Sequence, residues 1–552
     1  PIATHFAGMI LDDTATEFSI YSPAFGEKWA PPYVPVSIRR GSDGVEIGRV
    51  ISDQHGRFNG LAPSTYSAYL PSPSGFSPNM LITCMNDPGP IPDPDNPGEM
   101  IVDPNFNPAY SNFCYTFQYM PGTTTYLDTP VLPVSAFAAG YNPPDCALPD
   151  ASPKISSVVG NVMTGPIVGT NPYDPGAGVA SNGNVLTITA VGDMDVPNPA
   201  YQGPVATPTV PAMIPRHYGF GDTPGTVMIG NSVLNIVSWS DSQIVAMAPG
   251  SDTADGHLTV TTASGVSTEA GIYVTVTSVG AESNGVINVP VDQPTIQAAI
   301  EAANPGDTVL VAPGAYDENV IMWKPVKLQG SGAGSTIING ITGRVSIDGW
   351  NELVDCKFGI GAGCDKVVDA LPNQPDGAVG LETEAGATIT VLAPFDTRQG
   401  PARNRPANRF QGRDARIDGF SITGGLVGGG VVVNGYAHGL QVSNNDIFSN
   451  SGGFSGGVRI GRPALELADP QTLLGEDTYE FNDNLVIAHN VVRQNGALAG
   501  SGGGISISTG TDNYSISENY ICGNFTLGDG AGIGHLGLSD KGKIDNNPIV
   551  LN

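Results

Sequence analysis

Three observations predict an all-β chain that ends in a solenoid of short parallel strands. A nine-residue phrase returns four times in the last third, glycine-led strands lie between its copies, and the composition is poor in charge and rich in turn residues. The copies are 442–450 (VSNNDIFSN), 487–495 (IAHNVVRQN), 516–524 (ISENYICGN) and 544–552 (IDNNPIVLN). Each reads aliphatic residue, Asn three later, aliphatic two later, second Asn three later. Only 14% of residues are charged, while glycine numbers 73 and proline 47, which describes a turn-rich β protein.

Self-similarity at such spacing marks a solenoid, because one repeat cannot bury its own apolar face and must stack on its neighbours. Successive copies start at 442, 487, 516 and 544 and contain strand-like alternation without a helical run, so the coils are made of strands. The intervening segments 428–433, 456–460, 502–507 and 530–533 each lead with glycine, which supplies a second strand and a corner. Stacked at about 4.8 Å, Asn445, Asn490, Asn519 and Asn547 form one expected amide ladder, and Asn450, Asn495, Asn524 and Asn552 a second. Asparagine suits these corners through its tolerance of left-handed backbone. Val442, Ile487, Ile516 and Ile544, with Ile447, Val492, Ile521 and Ile549, are the expected core columns.

The start of this module carries a resemblance. Residues 294–303 (PTIQAAIEAA) followed by 306–316 (GDTVLVAPGAY) resemble the N-terminal cap of right-handed parallel β-helix proteins of the pectate-lyase-like superfamily. Physically, Thr295 to Ala303 is an amphipathic helix able to cover an open first coil. Residues 417–425 (IDGFSITGG) resemble the family's repeat phrase, with glycines in place of both ladder asparagines. The resemblance covers roughly 286–552 and implies the fold; the superfamily contains lyases, hydrolases, esterases and members without chemistry.

Length suggests three or four domains. Lys plus Arg is 23 against Asp plus Glu 52, a net charge of −29, so neither nucleic acid nor an anionic membrane is an expected partner. No apolar run reaches the roughly 18 residues that span a bilayer. The six cysteines, Cys84, Cys114, Cys146, Cys356, Cys364 and Cys522, lack metal-finger spacing. Cys356 and Cys364 are placed to close a small loop; the other pairings stay open. An extracellular or cell-surface location is expected from compartment logic.

Residues 1–152 read as a first β-sandwich. Strands at 34–40, 45–50, 52–61 and 64–70 are set off by Gly, Asp and Pro, and over about 40 residues they look like the carboxypeptidase-regulatory or collagen-adhesin B-type sandwich. Members of that family act mostly as spacers or stalks. The loop 86–108 carries Asp87, Asp93, Asp95 and Asp103, oxygen ligands that are candidates for Ca²⁺, although its prolines and the absence of a twelve-residue calcium loop favour a solvated acidic loop.

Residues 153–283 read as a second sandwich. The stretch 219–277, with 225–230 (GTVMIG), 236–245 (IVSWSDSQIV) and 258–262 (LTVTT), resembles the IPT/TIG immunoglobulin-like family and departs from it in an insertion at about 180–215. Trp239 is expected in its core. The whole is then two β-sandwich domains followed by a right-handed parallel β-helix at 284–552, interrupted by insertions at 351–413 and 461–483. The first insertion ends in an arginine group, Arg398, Arg403, Arg405, Arg409, Arg413 and Arg416, suited either to acidic polysaccharide or to the chain's own acids, the latter favoured.

The resemblance directs attention to outward columns, where pectate-lyase-like enzymes place Ca²⁺-binding carboxylates and an Arg or Lys base. Here one column reads Asn444, His489, Glu518, Asn546 and the other Phe448, Arg493, Cys522, Val550. His489, Glu518 and Arg493 are the catalytic candidates, but neither column stacks two or three acids. The seven histidines form no His-x-His or His-Glu-x-x-His pair, and no nucleophile elbow, phosphate loop or dinucleotide fingerprint appears. The expected function is a secreted or cell-surface modular scaffold that presents loops to a polysaccharide or a surface protein. A polysaccharide lyase or hydrolase, or the non-catalytic part of a larger enzyme, is the alternative. Because the repeat phrase is still running at Asn552, a solenoid continuing past 552, or a chain docking on its open coil, is also expected.

Overall fold

Each copy of the repeat phrase carries two short strands at a fixed separation, and each strand bonds to the matching strand of the next coil. The structure, a computed structural model, describes most of residues 3–132, 145–160, 165–169, 184–200, 211–248, 255–277, 285–340, 347–358, 386–393, 414–461 and 482–552. The chain divides into two units, Pro1–Asp145 with Pro197–Ile214, and Cys146–Val196 with Pro215–Asn552.

In the second unit, strands stack in parallel on three long faces. The first runs Val286–Val289, Thr308–Val311, Lys327–Gly330, Arg416–Asp418, Gln441–Ser443, Val486–Ala488, Ser515–Ser517 and Lys543–Asp545. The second runs Gly314–Tyr316, Thr336–Asn339, Ser421–Thr423, Asp446–Phe448, Val491–Arg493, Tyr520–Cys522 and Ile549–Val550. A third links Val320–Met322, Ile389–Val391, Val431–Val433, Val458–Ile460, Ile505–Ile507 and Ile533–His535. The registers put Val442 beside Ile487 and Ile487 beside Ile516, so like stacks on like. These columns form one continuous buried cluster from Val289 to Ile521. The chain is therefore an all-β protein with a parallel β-helix solenoid.

The short helix Ile296–Ala302 buries Ile296, Ala299 and Ile300 against that cluster. Thr295 accepts from the Ala298 N–H at 3.1 Å, and the Glu318 carboxylate accepts from the Ile296 and Gln297 N–H groups at 3.0 and 3.1 Å. Side-chain oxygen and negative charge thus meet the orphan donors of the helix start.

The asparagines stack as amides. Asn445 donates its backbone N–H and its Nδ2 to Asn490 Oδ1 at 3.0 and 3.1 Å; Asn490 does the same to Asn519, and Asn519 to Asn547. The second column, Asn450 to Asn495 to Asn524 to Asn552, repeats the pattern. The left-handed backbone, however, belongs to the residue before each ladder asparagine: φ is 56° at Asn444, His489 and Glu518 and 53° at Asn546. Register also corrects the reading of residues 417–425. Ile417 pairs with Val442, so Gly419, with φ 79°, matches Asn444 and Phe420 takes the first ladder place. Gly425 does take the second, and both ladders end on backbone: Asn445 Oδ1 accepts from Phe420 N–H and Asn450 Oδ1 from Gly425 N–H, each at 3.0 Å.

Two elements fall inside the stretch 351–413 read as an insertion. Ile389–Val391 is a strand of the third face, and the helix Ile347–Phe358 begins before it, packing Trp350 and Val354 against Ile321 and Leu392. The triplet at 389–391 is too short to stand out from the surrounding loop sequence.

Residues 146–277 of this unit form two sheets over one core. Ile155–Gly160, Val185–Ala190, Gln243–Met247 and Asn235–Trp239 make one; Ile167–Gly169, Ile272–Thr277, Gly256–Thr261, Thr226–Ile229 and Ser232–Val233 make the other. Trp239 packs on that core, and its Nε1 donates to Gly221 O at 2.8 Å.

The first unit also has two sheets on one core. Ala3–Thr16 pairs with Arg57–Pro63, Thr124–Tyr126, Thr129–Val131 and Lys28–Trp29, while Phe113–Phe117, Leu81–Met85, Pro35–Arg40 and Glu46–Ile51 form the second sheet. Phe6, Ile38, Phe58 and Tyr119 fill the space between them. Cys84 and Cys114 lie opposite one another on neighbouring strands and are disulfide-bonded.

Removing one rung tests the ladder. Asn490→Ala leaves two donors of Asn445 without their buried acceptor and the Val442 carbonyl without its donor, which destabilises the unit by roughly 2–4 kcal/mol. Asn547→Ala, at a partly exposed rung, costs less. Denaturant unfolding of the two variants measures the difference, and equal costs count against the ladder.

Candidate functional site

Left-handed residues make the coil turn sharply, so their side chains project from the solenoid beside the first strand face. His489 and Glu518 occupy adjacent coils in this column, and His489 Nδ1 lies 3.5 Å from the Glu518 carboxylate. Strand Gly256–Thr261 of the neighbouring sandwich packs against His489, while Glu518 stays exposed. Its His257 ring lies 4.7 Å from the His489 ring, centroid to centroid, tilted by 47°. Burial holds the His489 imidazole below its usual range, helped by the adjacent His257 and opposed by Glu518 and Asp418. Burial raises the Glu269 carboxyl, and the charge of Glu518 adds to the effect.

Two coils before His489, Asp418 is fully buried and organises the contact. Its Oδ1 accepts from Gln329 Nε2 at 2.8 Å and from the Tyr273 N–H at 2.9 Å; its Oδ2 accepts from Ser443 Oγ and Asn444 Nδ2, each at 2.7 Å. Asn444 Oδ1 accepts from the Gly271 N–H at 3.1 Å, and its Nδ2 faces His257 Nδ1 at 2.8 Å. Arg416 lies 3.9 Å over the Tyr273 ring and donates to Gln329 and Thr275.

Arg493 is engaged elsewhere. Its Nε and Nη2 donate to the two oxygens of Asp446 at 2.9 and 3.1 Å, and its guanidinium stacks 4.3 Å from the Phe448 ring. Lys154, from the sandwich, donates to the same carboxylate at 3.3 Å. Burial alone would raise the Asp446 carboxyl, but the charges of Arg493 and Lys154 and their hydrogen bonds hold it below the usual carboxylate range. A disulfide between Cys146 and Cys522 adds a covalent link between sandwich and solenoid. The structure thus pairs His489 with Glu518 and commits Arg493 to a buried ion pair.

The acidic loop of the first unit is organised by arginine. Asp87 accepts from Ser37 and from Arg39 Nε and Nη2, the latter two at 2.8 and 2.7 Å. Asp103 accepts from Arg49 Nη1 at 2.9 Å, and Arg49 also grips Glu46 with two bonds. Burial would raise Asp87, yet the hydrogen bonds from Ser37, the Gly89 N–H and Arg39 outweigh it and hold its carboxyl low. Asp93 turns inward on its own loop, accepting from the Asp95 N–H and Asn96, while Asp95 is exposed. Among the described residues no three His, Cys, Asp or Glu side chains are grouped so as to hold a metal ion.

Of the arginine group only Arg416 lies within the described residues; Arg398, Arg403, Arg405, Arg409 and Arg413, and the acids Glu466, Asp469, Glu476 and Asp477 of the second insertion, lie outside them. Cys356 is disulfide-bonded, and Cys364, with which the sequence reading paired it, lies outside the described residues. Sequence reasoning missed His257, Asp418 and the Cys146–Cys522 link. Their partners lie 145 to 376 residues away, and no local pattern records such pairings.

No protein-family model matches the chain, and no curated protein matches it. Two chains of solved structures match. One is an alginate lyase from Paenibacillus sp. str. FPU-7, 15% identical with a TM-score of 0.24, covering 48% of this chain and 75% of that one. A likeness of that size carries no weight for activity, and the solenoid rests on the strand registers.

Arg493→Ala leaves Asp446 buried beside Lys154 alone and costs roughly 3 kcal/mol, read by denaturant unfolding. The stability contributed by the low carboxyl of Asp87 is present above its unfolded value of about 4 and is lost as pH falls through the lower folded value. The first unit therefore unfolds more readily in acid below about pH 4, and Arg39→Ala flattens that dependence in a thermal scan against pH.

Proposed function

We propose that this chain is a secreted or cell-surface scaffold whose solenoid presents loops to a polysaccharide or a surface protein and carries out no reaction at the His489 column. The observation that carries this reading is the seating of His257 on His489 and Asn444. Of the outward candidates, His489 packs against His257 and Arg493 is held by Asp446, which leaves Glu518 as an exposed carboxylate with no second acid stacked in its column. Asp418 and Asp446, the acids at the right depth, are buried and saturated with donors. A general base must be free to reach substrate, whereas Arg493 is paired with Asp446 and His489 lies against His257 and Glu518.

Location is part of the same proposal. Two disulfides join described cysteines, and Cys356 is oxidised too, which favours an oxidising compartment. No helix among the described residues is long and apolar enough to cross a membrane. The net charge of −29 favours neutral glycans or cationic protein surfaces as partners.

Incubating the chain with alginate and with polygalacturonate, with and without Ca²⁺, tests the reading. Ultraviolet-absorbing unsaturated products are not expected, while retardation in affinity electrophoresis through a responsive glycan is. Products that form with the intact chain and vanish in Arg493→Ala would establish a lyase instead.

A further inference from the structure

We propose that the His257–Asn444 contact is a proton-sensitive latch that holds the edge of the sandwich on the solenoid at neutral pH and loosens it in mild acid.

The geometry forces the protonation state. Asn444 Oδ1 accepts the Gly271 N–H, so its Nδ2 is the atom that faces both Asp418 Oδ2 and His257 Nδ1. Nδ2 can only donate, so His257 Nδ1 must offer a lone pair. A proton on Nδ1 sets two donors against each other at 2.8 Å. Rotating the amide by half a turn does not relieve this, because Nδ2 would then oppose the Gly271 N–H. Histidine changes charge between about pH 5 and 8, whereas neither an amide nor a carboxylate at its ordinary value does so.

The surroundings amplify the effect. On the solenoid side, His489 stacks on the His257 ring, so two imidazolium ions would repel across a half-buried gap. Glu518 and Asp418 favour a charged His489, but burial and His257 outweigh them. On the sandwich side, Tyr273 meets His257 edge to face, and Arg416 lies over that tyrosine with Asp255 and Asp414 nearby. Glu269 works in the opposite sense. Its raised carboxyl gains protons in the docked state, so it contributes stability as pH falls and partly offsets the latch. For His489 the sign is clear: a folded value below the unfolded one means docking weakens as pH falls below about 6.5. The Lys154–Asp446–Arg493 cluster and the Cys146–Cys522 disulfide hold the sandwich at other points, so it loosens at one edge and stays attached.

Hydrogen exchange of the segment containing Gly271 and Tyr273 reads the latch, since both amides donate across the joint. After correction for the intrinsic rate, exchange is expected to be at least about tenfold faster near pH 5.5 than near pH 7.5. His257→Gln keeps an acceptor for Asn444 without a titrating group there and should remove most of the acid response, leaving the smaller part that His489 contributes. Glu269→Gln removes the offset and should steepen the acid response. On the unaltered protein, the midpoint of the exchange change must coincide with His257 protonation followed by NMR of labelled histidine. Equal exchange at both pH values, acid loosening undiminished in His257→Gln, or separated midpoints would overturn the proposal.

Discussion

The second unit depends on one constraint: parallel pairing of each short strand with its copy in the next coil, at a single register. A three-residue strand is too short to hold itself, and its stability comes from the neighbours above and below. That pairing places Ile487 between Val442 and Ile516, and it places each carboxamide where the next can accept from it. A slip by one residue would turn every aliphatic column outward and break both ladders together. Register also decides what lies on the surface, because the left-handed residue before each rung is the one that projects.

The same constraint explains the character of the site. His489 and Glu518 occupy strained positions that Asn and Gly fill in the flanking coils. Non-glycine residues there cost about 1–2 kcal/mol each, yet here their side chains form part of the seat for the sandwich. In that seat Asp418 takes four donors, three from the solenoid and one, the Tyr273 N–H, from the sandwich. A carboxylate so saturated is a structural anchor, and the same saturation withdraws it from substrate.

How far the sequence carries can be judged from particular residues. The cap helix and the strands around the repeat phrase were legible because aliphatic spacing records which side is inside. The asparagine positions were legible too, but their backbone reason was not: the amides needed are those of the rung, whereas the turn needs its predecessor. At 417–425 this shifted the alignment of Gly419 by one position. The strand Ile389–Val391 was invisible because a lone Ile-Thr-Val step carries no period. Asp87 and Asp103 read as part of a solvated acidic loop with candidate oxygen ligands because the arginines that neutralise them come from strands 48 and 54 residues earlier. The His257–Asn444 contact spans 187 residues, and only folding brings it together.

The bond between Cys146 and Cys522 has a mechanical meaning. It joins Cys146 to the strand Tyr520–Cys522, within the stack of coils, so tension entering at one sulfur leaves at the other without crossing the coils between them. A sequence separation of 376 residues corresponds to roughly 1,300 Å of extended backbone that a pulling force cannot draw out while the bond holds. In a reducing environment that length becomes available to a pulling force.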